Sequence, residues 1–299
     1  MKIIEINNLT KFYGKTLGID KINMEVNQGE IFGFIGPNGA GKSTTIRTLL
    51  NLIFPTSGNV SIFGLDIVKS TKQIKKRTGY LPAESNYYHK LTVSELMDYS
   101  AKFYNLQNYS IRLNYLSGKL NLDLNRKISD LSSGNKKKVS IVQSLLHKPE
   151  LLILDEPTSG LDPLVQSAFY EILAEDNKQG MTIFFSSHVL SEVQKICHRV
   201  AIIRKGKIIN IESIDNLKKN MLKNVIITFK NNIPDFTSIS GIVNLKKNDS
   251  NVNFFFDGDI NILMKILSEF QIENISIEEP SLDEIFMHFY KNGGTNNVN

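Results

Sequence analysis

Residues 1–35 alternate apolar and polar positions between turn signals, as in Ile3, Ile4, Ile6 and Leu9, and again in Ile22, Met24 and Val26 ahead of Asn27-Gln28-Gly29. That period of two predicts antiparallel strands with one wet face. Within it, Glu30 to Ile35 reads as a short buried strand. The period then lengthens: Ile46, Leu49, Leu50 and Ile53 fall at i, i+3, i+4 and i+7, predicting a helix that ends at Phe54-Pro55. Val60, Ile62 and Phe63 suggest another strand, and Gly79-Tyr80-Leu81-Pro82 breaks the pattern. From about 85 to 148 the spacing is helical. Leu96, Tyr99, Ser100 and Phe103 share one face of its first helix, Thr92 and Glu95 fit a capping box, and a further helix runs from about Lys136 to His147.

Two more buried strands follow. Leu151-Leu152-Ile153-Leu154 ends in Asp155-Glu156, and Thr182-Ile183-Phe184-Phe185-Ser186-Ser187 ends in His188. Between them Asp162-Pro163 is an N-cap followed by an N1 proline. A hairpin of Val200 to Arg204 and Lys207 to Asn210, turning at Lys205-Gly206, closes a first domain over 1–210. A Lys- and Asn-rich linker is expected at 211–223. Strands at 225–229, 241–245, 252–256 and 272–277 with helices at 259–270 and 281–290 make a small α+β domain over 224–291, and 292–299 reads as a disordered tail. The fold class is α/β, with an antiparallel subdomain and a helical subdomain at 85–148 attached to the buried-strand core.

The chemistry concentrates in Gly36-Pro37-Asn38-Gly39-Ala40-Gly41-Lys42-Ser43-Thr44, which fits G-x-x-x-x-G-K-[ST] at every fixed position. Glycine lets a backbone curl so that successive N–H groups point at an anion; Lys42 supplies a cation for the outer phosphates and the Ser43 hydroxyl a ligand for Mg²⁺. The loop sits between a strand and a helix N-terminus, where the helix dipole favours negative charge. Asp155 and Glu156 stand where a parallel strand opens onto a site, so Asp155 suits a metal and Glu156 suits orienting or deprotonating water. His188 can donate to a phosphate oxygen from a neighbouring strand end or simply pack. Ser132-Ser133-Gly134-Asn135 can hold an anion or serve only as a helix N-cap. Lys136, Lys137 and Lys138 read as a solvated face that also raises the local potential. Tyr13, in the turn Lys11 to Lys15, fits either a base stack or core packing.

Composition narrows this modestly. With 299 residues, 41% apolar and 22% charged, the chain has room for about two domains of soluble type, and no apolar run is of membrane-spanning length. No signal peptide is recognisable, so a cytosolic location is expected unless a partner holds the chain at a membrane. The net charge of +5 suits nucleotide, nucleic acid or anionic membrane equally. The single cysteine, Cys197, excludes an internal disulfide.

In this order the phosphate loop, the Ser132–Asn135 helix start, Asp155-Glu156, the Ser159 to Asp162 loop and His188 resemble an ATP-binding cassette (ABC) ATPase over residues 1 to about 210. Glu279 to Phe286 looks like the C-terminal segment of bacterial exporter cassettes for drugs, antibiotics and peptides. The resemblance implies an ATP-hydrolysing subunit that takes ATP and Mg²⁺ and sits peripherally on the inner face of the membrane. It implies work with a separate permease, and pairing with a second copy or a paralogous cassette. Residues 36–44 would hold the nucleotide with Tyr13 stacked on adenine, and Ser43 and Asp155 the metal. Glu156 would act as base beside His188, and Ser132, Ser133, Gly134 and Asn135 would reach the partner's nucleotide. Two departures stand out. Ala83 occupies the position where a glutamine is usual, with Glu84 beside it, so either Glu84 substitutes for that glutamine at the metal or coordination there relies on water, and Ser133 and Asn135 replace the commoner glycine and glutamine. A cassette acting on nucleic acid or the ribosome, or a binding-only regulatory cassette, is the alternative; nucleic acid is not expected as a partner.

Overall fold

A computed structural model describes residues 1–84, 90–219, 223–230, 233–236, 239–248 and 250–278. The chain divides into two compact units, Met1–Ile214 and Asp215–Asn299. In the first, β1 (Lys2–Tyr13) and β2 (Thr16–Asn27) form an antiparallel hairpin. Together with β4 (Ser57–Ile62) and β5 (Leu65–Asp66) they make a four-stranded sheet in the order β2-β1-β4-β5. Their alternating burial is what a half-wet sheet requires.

The expectation of antiparallel strands through residue 35 fails at β3 (Ile31–Ile35), which pairs parallel with β8 (Thr182–Ser187) and β9 (Arg199–Arg204). The reason is visible in its burial. All five residues are buried, and a strand without a polar face can sit only in a sheet covered on both sides. That six-stranded sheet runs β10-β9-β3-β8-β7-β6, with β6 (Thr78–Leu81) and β7 (Leu151–Asp155) also parallel, and β10 (Lys207–Ser213) antiparallel at one edge. Parallel pairing brings the carboxyl ends of β3, β6, β7 and β8 to one rim; Ile35 pairs with Ser187, Asp155 with Ser186 and Leu81 with Leu154.

Helix α1 (Lys42–Leu49) is shorter than the apolar spacing suggests. Asn51 adopts the left-handed conformation at φ 48°, and two hydrogen bonds, Asn51 N–H to Thr48 O and Leu52 N–H to Arg47 O, close a Schellman motif before Ile53 and Phe54 are reached. After α2 (Thr71–Arg77), the helical region comprises α3 (Val93–Phe103), α4 (Ser110–Lys119) and α5 (Ser133–Leu145). The Thr92–Glu95 capping box is present. The expected apolar face of α3 is only half buried: Leu96 and Ser100 go inward, whereas Tyr99 and Phe103 are 65% and 70% exposed. Helix α5 starts earlier than Lys136 because Ser132 caps it, accepting from Asn135 N–H at 3.3 Å. Helix α6 (Pro163–Lys178), capped by Asp162, and α7 (Leu190–Ile196) complete the unit. Within the expected linker, β10 runs on to Ser213 and α8 (Ile214–Lys219) follows, with Ile214 and Leu217 buried.

In the second unit β11 (Lys223–Phe229), β12 (Ile242–Asn248), β13 (Asn251–Phe256) and β14 (Ile272–Glu278) form an antiparallel sheet in the order β12-β13-β11-β14. Every second residue of β11 and β13 joins Leu263 and Leu267 of α9 (Ile260–Leu267) in its core. The helix expected at 281–290 and the tail at 292–299 lie outside the described residues.

His147, just beyond α5, stacks on Tyr104 with ring centroids 3.9 Å apart, and burial pulls its pKa down to about 4. Between about 6.5 and that value the unfolded chain binds a proton that the folded chain refuses, so stability falls as pH drops through this window. His147→Phe keeps a ring against Tyr104 and should flatten the acid limb of stability between pH 6.5 and 4, read as the urea midpoint against pH.

Candidate functional site

The loop between β3 and α1 is shaped by close approach as well as by backbone freedom. A Cβ on Gly36 would lie 2.3 Å from the carbonyl oxygen of Ile203, so only glycine lets the loop base lie against β9. Gly41, at φ 110°, occupies a conformation that residues with a Cβ rarely adopt. Lys42, 6% exposed, donates to the carbonyls of Gly36 (2.7 Å) and Pro37 (3.3 Å), with its ammonium 3.2 Å from Glu156 Oε1. Asn38 and Gly39 are exposed, Ala40 is buried, and Ser43 and Thr44 are half-buried. Tyr13 is not a core residue: 46% exposed, it flanks Gly18 from one side while the Thr44 methyl flanks it from the other, at the mouth of the loop.

Asp155 ends β7, buried beside Ser43, whose hydroxyl hydrogen-bonds its carboxyl. Burial raises the Asp155 pKa, opposed by the Ser43 bond and the Lys42 charge. Glu156 follows at φ 49°, a left-handed conformation that costs a residue with a Cβ about 1–2 kcal/mol. Its N–H is held by Ser186 O at 3.0 Å. Its carboxylate lies between Lys42 on one oxygen and His188 Nδ1, 2.6 Å away, on the other. The structure therefore brings Lys42, Ser43, Asp155, Glu156 and His188 together at the rim where β3, β7 and β8 end.

Ser132, Ser133, Gly134 and Asn135 open α5, and among the described residues no hydrogen bond joins them to residues 36–44. Glu84 is exposed. Among the described residues no group of three His, Cys, Asp or Glu side chains could hold a metal ion. The oxygen pair Ser43 and Asp155 fits a Mg²⁺ that takes its other ligands from phosphate and water.

Two features escaped the sequence reading. Lys137 is 7% exposed, and its ammonium donates to the carbonyls of Pro82, Ala83 and Glu156. The signal was present, since Lys137, Ile141 and Leu145 fall at i, i+4 and i+8, all buried on α5. Glu192 of α7 accepts from Thr158 Oγ1 and Ser187 Oγ, tying the loop after Glu156 to the strand end before His188. The residues concerned are far apart in sequence, and nothing in local spacing marks them as partners.

Comparison with known proteins agrees with this arrangement. Residues 19–159 match the family model described as ABC transporter, and residues 213–290 match the C-terminal domain of DrrA1-3-like ATP-binding proteins. The chain is 40% identical over 227 residues to the bacitracin transport ATP-binding protein BcrA of Bacillus licheniformis, covering 74% of this chain and 73% of that one. It is 36% identical over 231 residues to the linearmycin resistance ATP-binding protein LnrL of Bacillus subtilis (strain 168), covering 75% and 74%. A solved ATP-binding subunit of an ABC transporter superposes with a TM-score of 0.69 at 31% identity, over 73% of this chain and 92% of that one.

The contact beneath the loop yields a measurable consequence. Gly36→Ala drives a methyl into the Ile203 carbonyl and should cost about 1–3 kcal/mol of stability, with at least tenfold weaker nucleotide binding. Gly118→Ala, in α4 where a Cβ meets nothing and φ is ordinary, should leave binding unchanged. Thermal melting and titration with a fluorescent ATP analogue read both.

Proposed function

The chain belongs to the ABC transporter family of ATP-binding proteins, and we propose that its site is one half of a paired ATPase centre that drives export through a separate permease. It is an ATP-binding, ATP-hydrolysing subunit of an ABC exporter. The observation that carries the assignment of residues is Glu156, turned by its left-handed backbone so that the carboxylate stands between Lys42 and His188.

In this reading the amides of residues 36–44 and the Lys42 ammonium bind the β- and γ-phosphates, while Tyr13, exposed at the loop mouth, stacks on the base. Lys42 exchanges its loop carbonyls and Glu156 for phosphate oxygens. Mg²⁺, held by Ser43 and Asp155, offsets phosphate charge when bound. Glu156 accepts a hydrogen bond from the attacking water and takes its proton, with His188 orienting the carboxylate from the next strand end.

Ser132 to Asn135 have no tie to the phosphate loop of their own chain. This supports their use in a second cassette, either another copy or a paralogue, with ATP between the two faces. The anion is then gripped by the capped start of α5, whose first N–H groups have no acceptor in the helix's own backbone ladder. Among the described residues no helix is long and apolar enough to cross a membrane, which supports a peripheral subunit docked on a permease at the inner face. Tyr99 and Phe103, exposed one turn apart on α3, are a surface suited to an apolar element of that permease. Similarity to the bacitracin and linearmycin proteins points to antibiotics or related peptides as cargo.

Glu156→Gln should lower the ATPase rate at least 100-fold while retaining ATP binding, and should shift the protein from monomer to dimer in Mg-ATP. Steady-state phosphate release and light scattering check this, and wild-type turnover in the variant removes Glu156 as the base. Replacing Tyr99 and Phe103 together by serine should leave the ATPase rate of the isolated chain within twofold, yet lower its co-purification with the permease from detergent-solubilised membranes several-fold.

A further inference from the structure

We propose that Lys137 is a positioning residue of this ATPase: its buried ammonium fastens the peptide of Glu156 to the loop after β6, so that the carboxylate and that loop are held as one piece. The inference rests on the reading of Glu156 as the group that handles water. A lysine ammonium carries three N–H donors and no acceptor. Here all three find carbonyls, of Pro82 at 3.0 Å, Ala83 at 3.1 Å and Glu156 at 3.1 Å. Arginine, whose donors lie in a rigid plane, does not match three carbonyls converging on one point. The ammonium's donors are all used, and losing it leaves three part-buried carbonyls short of their donor.

Glu156 explains why such a clamp matters. Its N–H is fixed by Ser186 and its carbonyl by Lys137, so both peptides flanking its left-handed φ are pinned, and the side chain has one direction to leave. That direction leads to Lys42 and His188. On the other side of the clamp, Ala83 offers only a methyl where a glutamine is usual, so this loop is gripped through its backbone rather than through a side chain. Lys137 projects from the same face of α5 as Ile141 and Leu145, both fully buried, so its stem is anchored in the helix that opens with Ser132 to Asn135. Helix start, strand end and loop are thereby joined at one nitrogen. Burial lowers the Lys137 pKa to about 8, with Asp155 and Glu156 pulling it back up, which leaves the ammonium protonated at neutral pH.

Lys137→Met keeps the length of the stem and removes the donors. In the full chain, kcat for ATP hydrolysis should fall at least tenfold with KM for ATP within twofold of wild type, because among the described residues the Lys137 ammonium bonds Pro82, Ala83 and Glu156 and none of residues 36–44. Amide hydrogen exchange should quicken in peptides covering 82–84 and 156–159. Turnover within twofold of wild type, a loss carried by KM, or wild-type exchange in both segments would each overturn the proposal. If the methionine variant does not fold, as judged by its thermal melt, the same readouts on Lys137→Gln decide the matter, since a shorter amide with two donors cannot span three carbonyls. Glu156→Gln measured alongside separates the two readings: if it hydrolyses ATP normally, the base assignment fails by itself, while the exchange measurement still shows whether Lys137 ties the strand end to the loop.

Discussion

The site exists because four parallel strands of one sheet end at the same rim. Parallel pairing requires a sheet covered on both faces, and the continuous apolar runs of β3, β7 and β8 supply it. Once those runs are buried side by side, the residues that follow each of them have nowhere to go but the same edge. Gly36 follows Ile35, Glu156 follows Asp155, His188 follows Ser187 and Pro82 follows Leu81. Groups separated by up to 152 positions in sequence, Gly36 and His188 among them, thus become neighbours through backbone register rather than through any attraction between them.

This is also why so much of the site was legible in the sequence. The loop motif needs glycine where a Cβ would strike Ile203, and the acidic pair needs a buried strand in front of it; both demands are local and leave local traces. The strands of the second unit were readable for the same reason, since every second residue of β11 and β13 faces its core. What was misread depended on the third dimension. Helix α1 stops at Asn51 through a backbone motif that hydrophobic spacing does not encode. The Tyr99–Phe103 stripe has helical periodicity yet faces outward, because periodicity marks a shared face without saying what covers it. Lys137 was placed on a solvated face because it lies in a run of three lysines, although its spacing to Ile141 and Leu145 puts it with the buried positions.

The charges at the rim explain how so many ionisable groups are tolerated there. Lys42 and Lys137 are buried, as is Asp155, and Glu156 is mostly so. Isolated, any of them would carry a desolvation cost of several kcal/mol. Together they are two formal positive and two formal negative charges, and each ammonium is additionally satisfied by peptide carbonyls. The cluster is balanced without a ligand, which is why a buried lysine can sit at the base of the phosphate loop and still be released to an incoming anion.

That balance has a consequence for how the protein handles a nucleotide. A triphosphate entering this rim adds several negative charges to a group whose formal sum is zero, so Lys42 alone, already paired with Glu156, cannot offset them. Further positive potential is needed beyond Lys42. On the proposed reading a divalent ion at Ser43 and Asp155 would supply part of it, and the N–H groups at the start of another chain's α5 would supply donors, since among the described residues Ser132 to Asn135 make no hydrogen bond to residues 36–44 of their own chain. On the proposed reading, a centre closed by two cassettes would meet this demand, and its closing would depend on the outermost phosphate. Hydrolysis would then act by removing the charge that calls for the second face.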